Sequence, residues 1–330
     1  MVAPSESGSQ TVLPLSRGAT PISEFSLPEK MTSIVSICIS THLRPEGLER
    51  LLGSLAAQRG APPFNVIVVD NDSARSGEQI TGRFHDRLDL SYLVEPVRGI
   101  ARARNRAVAS AKARYIAFID DDEWAPAEWL ATLYRVAGDF NADAVIGGVE
   151  QVFDDEVPDY IRACGLFDNP FHPDGSALPW YLTRTSNALI RRESLPDLSA
   201  PFSLHFDLVG GEDLDLFRRM IDGGARIVAA TSSVFESRPV SRANLRWLLR
   251  RAVRNGGTFG EIEWSRRDPK RSARLLAGAV GKAIRHGIKV IRLWNRDRSR
   301  AGRHVVRTCE EVGKILYLTG IRIEEYRAHP

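Results

Sequence analysis

The chain has 330 residues, of which 43% are hydrophobic and 26% are charged, a composition that predicts a folded core and excludes global disorder. Its three cysteines, Cys38, Cys164 and Cys309, are scattered and form no C-x-x-C, which argues against a disulfide framework or a zinc site. No apolar run approaches the roughly 18 residues that a membrane-spanning helix needs. Because the N-terminus also has no signal-peptide pattern, we expect a reducing, intracellular location.

The formal net charge of +4 combines two parts of opposite sign. Residues 238–330 carry 23 Lys and Arg against 8 Asp and Glu, a net charge of +15, whereas residues 1–237 carry 22 against 33, a net charge of −11. A basic C-terminal part predicts an anionic partner, which can be a phospholipid surface, a nucleic acid or a phosphorylated substrate. Residues 1–32 are rich in Ser, Pro, Thr and Gly without apolar periodicity, and we expect a disordered leader there.

Strand and helix patterns alternate from residue 34 onward. Residues 34–40 (IVSICIS) are mostly apolar and β-branched, as in a strand that is covered on both faces. Alternation of this kind predicts a mostly parallel sheet with helices on both faces. The predicted strands are 34–40, 65–69, 92–94, 115–119 and 144–149, and the predicted helices are 46–58, 100–111, 126–137 and 213–223.

The segment between residues 150 and 210 has no comparable periodicity. It contains six prolines. We expect a loop-rich segment that shapes a second pocket. Four of its aromatic residues are expected to be exposed, namely Phe167, Phe171, Trp180 and Tyr181.

Polar residues follow three of the predicted strands at the points where the strands end. They are Ser40-Thr41, Asp70-Asn71-Asp72 and Asp120-Asp121-Asp122. In an open parallel sheet the carboxyl ends of the strands meet at one edge, and ligands bind there. The topology alone therefore predicts a polar site at this edge.

The segment Asp120-Asp121-Asp122-Glu123 is the strongest chemical signal in the sequence. Clustered carboxylates repel one another and raise one another's pKa unless a cation neutralises them. Mg²⁺ or Mn²⁺ would do so, because these ions prefer oxygen ligands and bridge to substrate phosphates. The alternative is an acidic surface turn without a ligand.

Two further motifs allow both a functional and a structural interpretation. Glu212 and Asp213 follow two glycines at the start of a predicted helix, where a carboxylate can act as a general base or can simply match the helix dipole. Arg98, Arg104 and Asn105 lie at the start of another predicted helix. Arginines are unfavourable there unless a phosphate lies nearby, and a solvated basic face is the alternative.

The C-terminal part, residues 241–330, is expected to form a basic helical tail. One stretch carries arginines four residues apart, which predicts a single row on one helix face. Residues 273–295 have apolar side chains on one face, Lys and Arg on the other, and a tryptophan near the end, a pattern typical of helices that lie on a membrane surface. The arginines of the row are Arg242, Arg246, Arg250 and Arg254.

Five polar segments occur in a fixed order along residues 34–255. They are Ser40-Thr41, Asp70-Asn71-Asp72-Ser73, the run RGIARARN from Arg98 to Asn105, Asp120-Asp121-Asp122-Glu123 and Gly210-Gly211-Glu212-Asp213. This pattern resembles the family 2 glycosyltransferases with the GT-A fold, and it is similar in particular to bacterial exopolysaccharide enzymes of the succinoglycan glucosyltransferase kind. The resemblance implies a GT-A catalytic domain at 33–240, followed by the basic tail at 241–330.

The resemblance also implies which residues bind a nucleotide sugar. Thr41 and Asp70 would contact the uracil of a UDP-sugar. Arg98, Arg104 and Asn105 would lie near the ribose or the diphosphate. The complete implied set is Ser40, Thr41, Asp70, Arg98, Arg104, Asn105, Asp120 and Asp121.

Metal and base roles follow from the same resemblance. Asp120 and Asp122 match the D-x-D pair, with Asp120 also near the ribose and Asp122 on a Mg²⁺ or Mn²⁺ ion. Asp213 matches the catalytic base, and Glu212 is the second choice. A single displacement at the anomeric carbon would invert its configuration.

The sequence departs from the family pattern in two places. Many relatives have a histidine near the metal where this chain reads SVFESR at 233–238. The processive synthases carry Q-x-x-R-W, whereas residues 243–247 read ANLRW, so we expect one sugar to be added per acceptor. Trp180 and Tyr181 are candidates to stack on a sugar ring, and a core role is an equal alternative.

These implications lead to one expected function, the inverting transfer of a hexose from a UDP-sugar to a lipid-linked saccharide in bacterial exopolysaccharide or surface-glycan biosynthesis. UDP-glucose is the expected donor, and the basic tail is expected to hold the enzyme at the inner face of the cell membrane without binding nucleic acid. The alternative is a nucleic-acid- or membrane-binding scaffold that lacks catalysis. A nucleotidyltransferase is disfavoured because residues 41–47 supply no glycine-rich phosphate loop.

Overall fold

The computed structural model describes residues 33–164, 167, 172–207, 209–264 and 269–321. The predicted leader at 1–32 and the aromatic Phe171 lie outside these residues. The strands are β1 (Val35–Thr41), β2 (Phe64–Asp70), β3 (Leu90–Val94), β4 (Tyr115–Phe118), β5 (Glu123–Trp124), β6 (Ala144–Phe153), β7 (Ala188–Arg191) and β8 (Ile227–Arg238). The helices are α1 (Pro45–Ala56), α2 (Glu78–Gly82), α3 (Ile100–Ser110), α4 (Trp129–Asp139), α5 (Asp159–Arg162), α6 (Glu212–Asp222), α7 (Leu245–Trp264), α8 (Pro269–Leu293) and α9 (Arg298–Leu318).

All eight strands belong to one sheet, in the order β3-β2-β1-β4-β7-β6-β8-β5. The first four strands of this order are parallel to one another. Thr41 pairs with Asp70, and Cys38 pairs with Phe118, so β1, β2 and β4 end at the same edge of the sheet. The predicted convergence of the strand ends is therefore confirmed.

The other half of the sheet is mixed. β7 is antiparallel to both β4 and β6, β8 is parallel to β6, and β5 is antiparallel to β8. The sequence did not predict β7, because four residues between proline-rich loops are too few to show a periodicity. The predicted strand at 144–149 continues to Phe153, where its residues alternate between covered and exposed positions.

The sheet is covered by helices on both faces, as predicted. The side chains of β1 alternate between two cores, since Ile37 and Ile39 pack with α1, α2 and α4, whereas Cys38 packs with α3 and α6. Such two-sided burial explains why β1 and β2 read as continuous apolar runs rather than as alternating ones.

The aromatic residues of the loop-rich segment do not share one environment. Trp180 is only 7% exposed and stacks on Phe259 of α7 with a centroid distance of 4.9 Å. The expectation that Trp180 is exposed is therefore wrong, and the alternative of a core role is confirmed. Tyr181, by contrast, is 53% exposed.

The C-terminal helices pack on one another and on the sheet domain. α7 contributes Leu248 and Ala252 to a core with α5 and α9, and at Gly256 its backbone lies so close to Glu310 of α9 that a Cβ atom would collide with the Glu310 carbonyl. The predicted row of arginines loses Arg242, which precedes α7 in a 3-10 turn, whereas its other three members lie four residues apart on α7 as predicted.

α8 packs against α9 and leaves a long apolar stripe exposed. The stripe lies on the face that the sequence predicted to be apolar. Within the described residues, no helix combines the length and the hydropathy that crossing a bilayer requires. The exposed residues of the stripe and of the turn that follows it are Val280, Ile284, Ile288, Ile291 and Trp294.

Candidate active site

A cavity of about 390 Å³ opens at the carboxyl ends of β1 and β4. We call it the first cavity. Its wall combines the end of β1, the start of α3 and the loop after β4, which the parallel topology brings to the same edge. Seven of the eleven residues to which the resemblance assigns a binding, metal or base role line it, namely Ser40, Thr41, Arg98, Arg104, Asp120, Asp121 and Asp122.

A second cavity of about 290 Å³ adjoins the first and contains the two candidate base residues, Glu212 and Asp213. Arg104 and Asp120 line both cavities. The structure thus brings together motifs that lie about a hundred residues apart, and it places the predicted base beside the predicted nucleotide site.

Four carboxylates at the two cavities are largely buried. Burial raises the pKa of Asp121 to about 6, although the neighbouring Arg44 guanidinium opposes the shift. Burial likewise raises the pKa of Asp122, Glu123 and Glu236, and repulsion between neighbouring carboxylates adds to each shift. These groups would gain from a nearby cation, which agrees with the electrostatic argument made from the sequence.

Two arginines hold Asp122 in this structure. Its Oδ2 atom accepts one N–H from Arg44 at 2.8 Å and one from Arg242 at 2.9 Å. Arg44 also donates to Asp121 at 2.6 Å. The charge of the acidic segment is therefore partly balanced by two guanidinium groups, neither of which the sequence analysis placed at the site.

Asp121 fixes the loop after β1 in addition to lining the first cavity. Its carboxylate accepts the hydroxyl of Thr41 at 2.9 Å and the backbone N–H of His42 at 3.4 Å. Because these donors are the groups at the end of β1, Asp121 sets the position of the cavity wall formed by Thr41 and His42.

Arg104 connects the two cavities. It donates one N–H to Glu212 and another to Asp120, the latter at 2.9 Å. Burial raises the pKa of Glu212 to about 7, although Arg104 opposes the shift. The Oε2 atom of Glu212 is buried, and the described residues offer it no hydrogen bond.

A carboxylate occupies the start of α3, where the sequence left a nearby phosphate and a solvated basic face as alternatives. Asp207 accepts the backbone N–H groups of Ala101 and Arg102 and the Nε–H of Arg102 at 2.9 Å. This contact accounts for an arginine in the first turn of the helix without any ligand. Arg98, just before the helix, is exposed at the rim of the first cavity.

Two implied nucleotide contacts are not at either cavity. Asp70 is fully buried and accepts the Gly77 N–H and the Tyr92 hydroxyl, both at 2.7 Å. Asn105 exchanges two hydrogen bonds with the backbone of Phe202. The polar atoms of both residues hold the surrounding loops together in this structure, and their direct contact with uracil, ribose or diphosphate stays a prediction.

Several cavity residues were missed or given no role. Glu236 lines both cavities and accepts hydrogen bonds from Gln151 at 2.9 Å and Arg238 at 2.7 Å. Trp247 also lines both, with the Arg251 guanidinium 5.2 Å from its ring centroid. In the sequence, Glu236 could have been found only as a carboxylate near the end of the last strand. Trp247 could have been found only through the Arg-Trp pair in the segment ANLRW.

Comparison with known proteins identifies the family. The protein-family model described as "Glycosyl transferase family 2" matches residues 36–203. Succinoglycan biosynthesis protein ExoM of Rhizobium meliloti (strain 1021) is 31% identical to the chain over 301 residues, which are 89% of this chain and 96% of ExoM. The chain belongs to glycosyl transferase family 2. A shorter match, 32% identical over 34% of this chain and 26% of the relative, is a validoxylamine A glucosyltransferase of Streptomyces hygroscopicus subsp. limoneus.

Solved structures confirm the GT-A fold of this family 2 glycosyltransferase. A mannosyltransferase, PcManGT from Pyrobaculum calidifontis in complex with GDP-Man and Mn²⁺, superposes with a TM-score of 0.60 at 20% identity over 88% of this chain and 89% of its own. S. aureus TarS 1-349 in complex with UDP-GlcNAc gives a TM-score of 0.52 at 17% identity over 87% and 92% of the two chains.

The oxygen atoms that could bind a metal in this family 2 glycosyltransferase are of the kind that a hard divalent cation prefers. Asp120, Asp122 and Glu236 all line the first cavity, and they offer the carboxylate oxygens that Mg²⁺ and Mn²⁺ prefer. Among the residues that the structure describes, however, no three potential ligand side chains yet surround a common point. Because two guanidinium groups donate to the Oδ2 atom of Asp122, an ion there would share this carboxylate with them or displace them.

Proposed function

We propose that this glycosyltransferase is an inverting, metal-dependent enzyme that transfers a hexose from a UDP-sugar to a lipid-linked saccharide. One observation carries the proposal: the cavity with the acidic segment adjoins the cavity with Asp213, and Arg104 and Asp120 line both. A donor in the first cavity and an acceptor in the second would meet beside these two residues, as a direct displacement requires.

The first cavity has the charges that a nucleoside diphosphate needs. Asp120 and Asp122, with Glu236 nearby, would hold Mg²⁺ or Mn²⁺, and the bound ion supplies neutralisation of the charge that develops on the leaving diphosphate. Guanidinium groups recognise phosphate oxygens by paired hydrogen bonds. The arginines that could do so here are Arg98, Arg238, Arg242 and Arg251.

Asp213 is the proposed general base. It is half-buried in the second cavity, whereas Glu212 is 4% exposed and paired with Arg104, which suits Glu212 to a positioning role. Asp213 takes the proton of an acceptor hydroxyl, whose oxygen bonds to the anomeric carbon. The bond from that carbon to UDP breaks, and its electron pair leaves with UDP. One displacement inverts the carbon, so a UDP-α-sugar gives a β-linkage.

The identities of donor and acceptor rest on the relatives. A succinoglycan biosynthesis protein and a validoxylamine A glucosyltransferase are among the proteins that this chain resembles, which supports UDP-glucose as the donor and an exopolysaccharide or surface glycan as the product. A lipid-linked acceptor agrees with the exposed apolar stripe on α8, whose neighbouring residues are basic.

The proposed location is the inner face of the cell membrane. An amphipathic helix with basic flanks binds an anionic leaflet through buried apolar area and through attraction of about 1 kcal/mol per Lys or Arg. Ile284, Ile288 and Ile291 are 59%, 45% and 80% exposed, and Lys289 and Arg292 lie between or beside them. The domain boundary near residue 240 remains part of this proposal.

A donor screen tests the proposed function. Release of UDP or GDP is measured with UDP-glucose, UDP-galactose, UDP-GlcNAc and GDP-mannose, each with Mn²⁺ or Mg²⁺. The proteins are the wild type, Asp122→Ala, Asp213→Asn and, as a control, Asp139→Asn, which changes an exposed carboxylate at the end of α4.

Turnover of one UDP-sugar that Asp122→Ala abolishes would support the donor class and the metal site. Asp213→Asn should then bind UDP like the wild type but transfer no sugar, and Asp139→Asn should behave like the wild type. Failure of the wild type to bind or hydrolyse any nucleotide sugar would favour a scaffold without catalysis. Turnover of GDP-mannose alone would overturn the choice of a UDP-sugar.

A further inference from the structure

The Asp122 carboxylate is shared by two arginines with different surroundings. Arg44 Nη1 lies 2.6 Å from Asp121 and 2.8 Å from Asp122, so it bridges two carboxylates. Arg242 Nη1 lies 2.9 Å from the same Oδ2 atom of Asp122. If Arg44 lost Asp122, it would keep its ion pair with Asp121. The ion pair that the structure describes for Arg242 is with Asp122 itself, so leaving Asp122 would break that pair.

We propose that Arg242 is an internal counter-ion that occupies Asp122 in the free enzyme and moves to the diphosphate when a nucleotide binds, so that the divalent cation and the nucleotide bind cooperatively. The inference rests on the proposed function, since it takes Asp122 as a metal ligand and a nucleoside diphosphate as the donor's leaving group. In this proposal Arg242 is a positioning residue, because its place on Asp122 or on the diphosphate determines when the metal site becomes available.

Competition follows from charge and from geometry. A divalent cation at Asp122 would share the carboxylate with two guanidinium groups that donate to its Oδ2 atom, and it would be repelled by both positive charges. Arg44 is also held by Asp121. Displacing Arg242 is therefore the change that frees the Asp122 oxygen with the least loss of existing contacts.

Arg242 can make this exchange without disturbing the fold. It lies in the 3-10 turn Val240–Arg242 ahead of α7, its side chain is 36% exposed, and it lines the first cavity. A phosphate group in that cavity would offer it several acceptor oxygens in place of one carboxylate oxygen. The move is a change of side-chain rotamer at a half-exposed position, and no helix has to shift.

The consequence is a measurable linkage. If the nucleotide removes Arg242 from Asp122, the nucleotide raises the affinity for the cation, and the cation raises the affinity for the nucleotide by the same factor. Without Arg242, Asp122 should be more available to the cation before the nucleotide binds. The variant should therefore bind the free cation more tightly and show weaker cooperativity.

Mn²⁺ binding to the intact protein tests this linkage. The affinity for Mn²⁺ is measured by electron paramagnetic resonance of free Mn²⁺, with and without saturating UDP, for the wild type, Arg242→Gln and Arg246→Gln. Arg246 is an exposed residue of α7 outside both cavities, so its variant loses the same charge without the contact. Near-ultraviolet circular dichroism checks that each variant is folded.

We expect Arg242→Gln to tighten Mn²⁺ binding without UDP by about threefold to fivefold, the range for a partly exposed ion pair, and to reduce by a similar factor the gain that UDP gives. Arg246→Gln should match the wild type. If the wild type binds Mn²⁺ and UDP together but Arg242→Gln binds Mn²⁺ unchanged or more weakly, the counter-ion role is overturned. If the wild type binds no Mn²⁺ even with UDP, the proposed function itself fails.

Discussion

Arg104 and Glu212 form an ion pair in which both side chains are more than nine-tenths buried, at 8% and 5% exposure. The pair joins α3 to the start of α6. Since Arg104 also holds Asp120, one guanidinium group contacts both the acidic segment and the residue that precedes Asp213. The two cavities, which the proposed function assigns to donor and acceptor, are thus connected by one side chain.

Removing this side chain should destabilise the protein strongly. We expect Arg104→Gln to lower the free energy of unfolding by about 3–5 kcal/mol, because it leaves the buried Glu212 carboxylate without its partner. Urea unfolding followed by fluorescence measures the change. Arg106→Gln, two residues away and 44% exposed, should change stability by no more than about 0.5 kcal/mol. Equal effects of the two substitutions would contradict the buried pair.

Glu212 should make stability depend on pH. Its pKa is about 7 in the folded protein, above the usual glutamate value, because burial penalises the charged form. Between about pH 4.5 and 7 the unfolded chain loses this proton while the folded protein keeps it. The contribution of Glu212 to stability should therefore fall as the pH rises through this window, by at most about 3 kcal/mol.

Glu212→Gln removes the titration. Relative to this variant, the wild type should lose stability between pH 5 and pH 8, measured as the difference in unfolding free energy at each pH. Glu46→Gln, which removes an exposed carboxylate from α1, corrects for surface charge. A wild-type curve parallel to that of Glu212→Gln would show that the carboxyl of Glu212 does not titrate in this range.

Gly99 should not tolerate a side chain. Its φ of +157° is rare for other residues, and a Cβ atom there would collide with the carboxylate of Asp207. We expect Gly99→Ala to destabilise the protein by about 2 kcal/mol. Gly53→Ala is the matched control, because no atom lies within 4 Å of the added methyl group in α1; it should stabilise by about 0.5–1 kcal/mol. Thermal unfolding distinguishes the two.

The exposed stripe of α8 should decide membrane retention. Ile291→Glu replaces the most exposed isoleucine of the stripe, at 80% exposure, with a negative charge that an anionic leaflet repels. We expect retention on vesicles of phosphatidylglycerol and phosphatidylethanolamine to fall by about tenfold or more. Leu198→Glu, which changes an exposed leucine outside this helix, should leave retention unchanged. Flotation of the vesicles gives the measurement, and equal retention of both variants would contradict a role for α8.

The sequence predicts the course of the backbone better than it predicts the contacts of the side chains. The acidic segment was placed correctly beside the end of β1, because alternating strands and helices leave few possible topologies. The contacts of Asp70 and Asn105 were not predictable, because a polar residue at a strand or helix end can face a ligand or hold a loop, and only the packing decides. Arg242 was assigned to a helix row because the spacing cannot show that the helix begins three residues later.

α7 contributes to the site and to the helical scaffold at once. Arg251, in its first half, borders both cavities, and Gly256, five residues later, lies against the backbone of α9. An α-helix turns by about 100° per residue, so inserting one residue between them would point Arg251 away from the cavities or bring Asn255 against α9 in place of Gly256. The number of residues between Arg251 and Gly256 consequently sets their relative direction around the helix axis. That number can change only by an amount close to two complete turns, or a multiple of two turns.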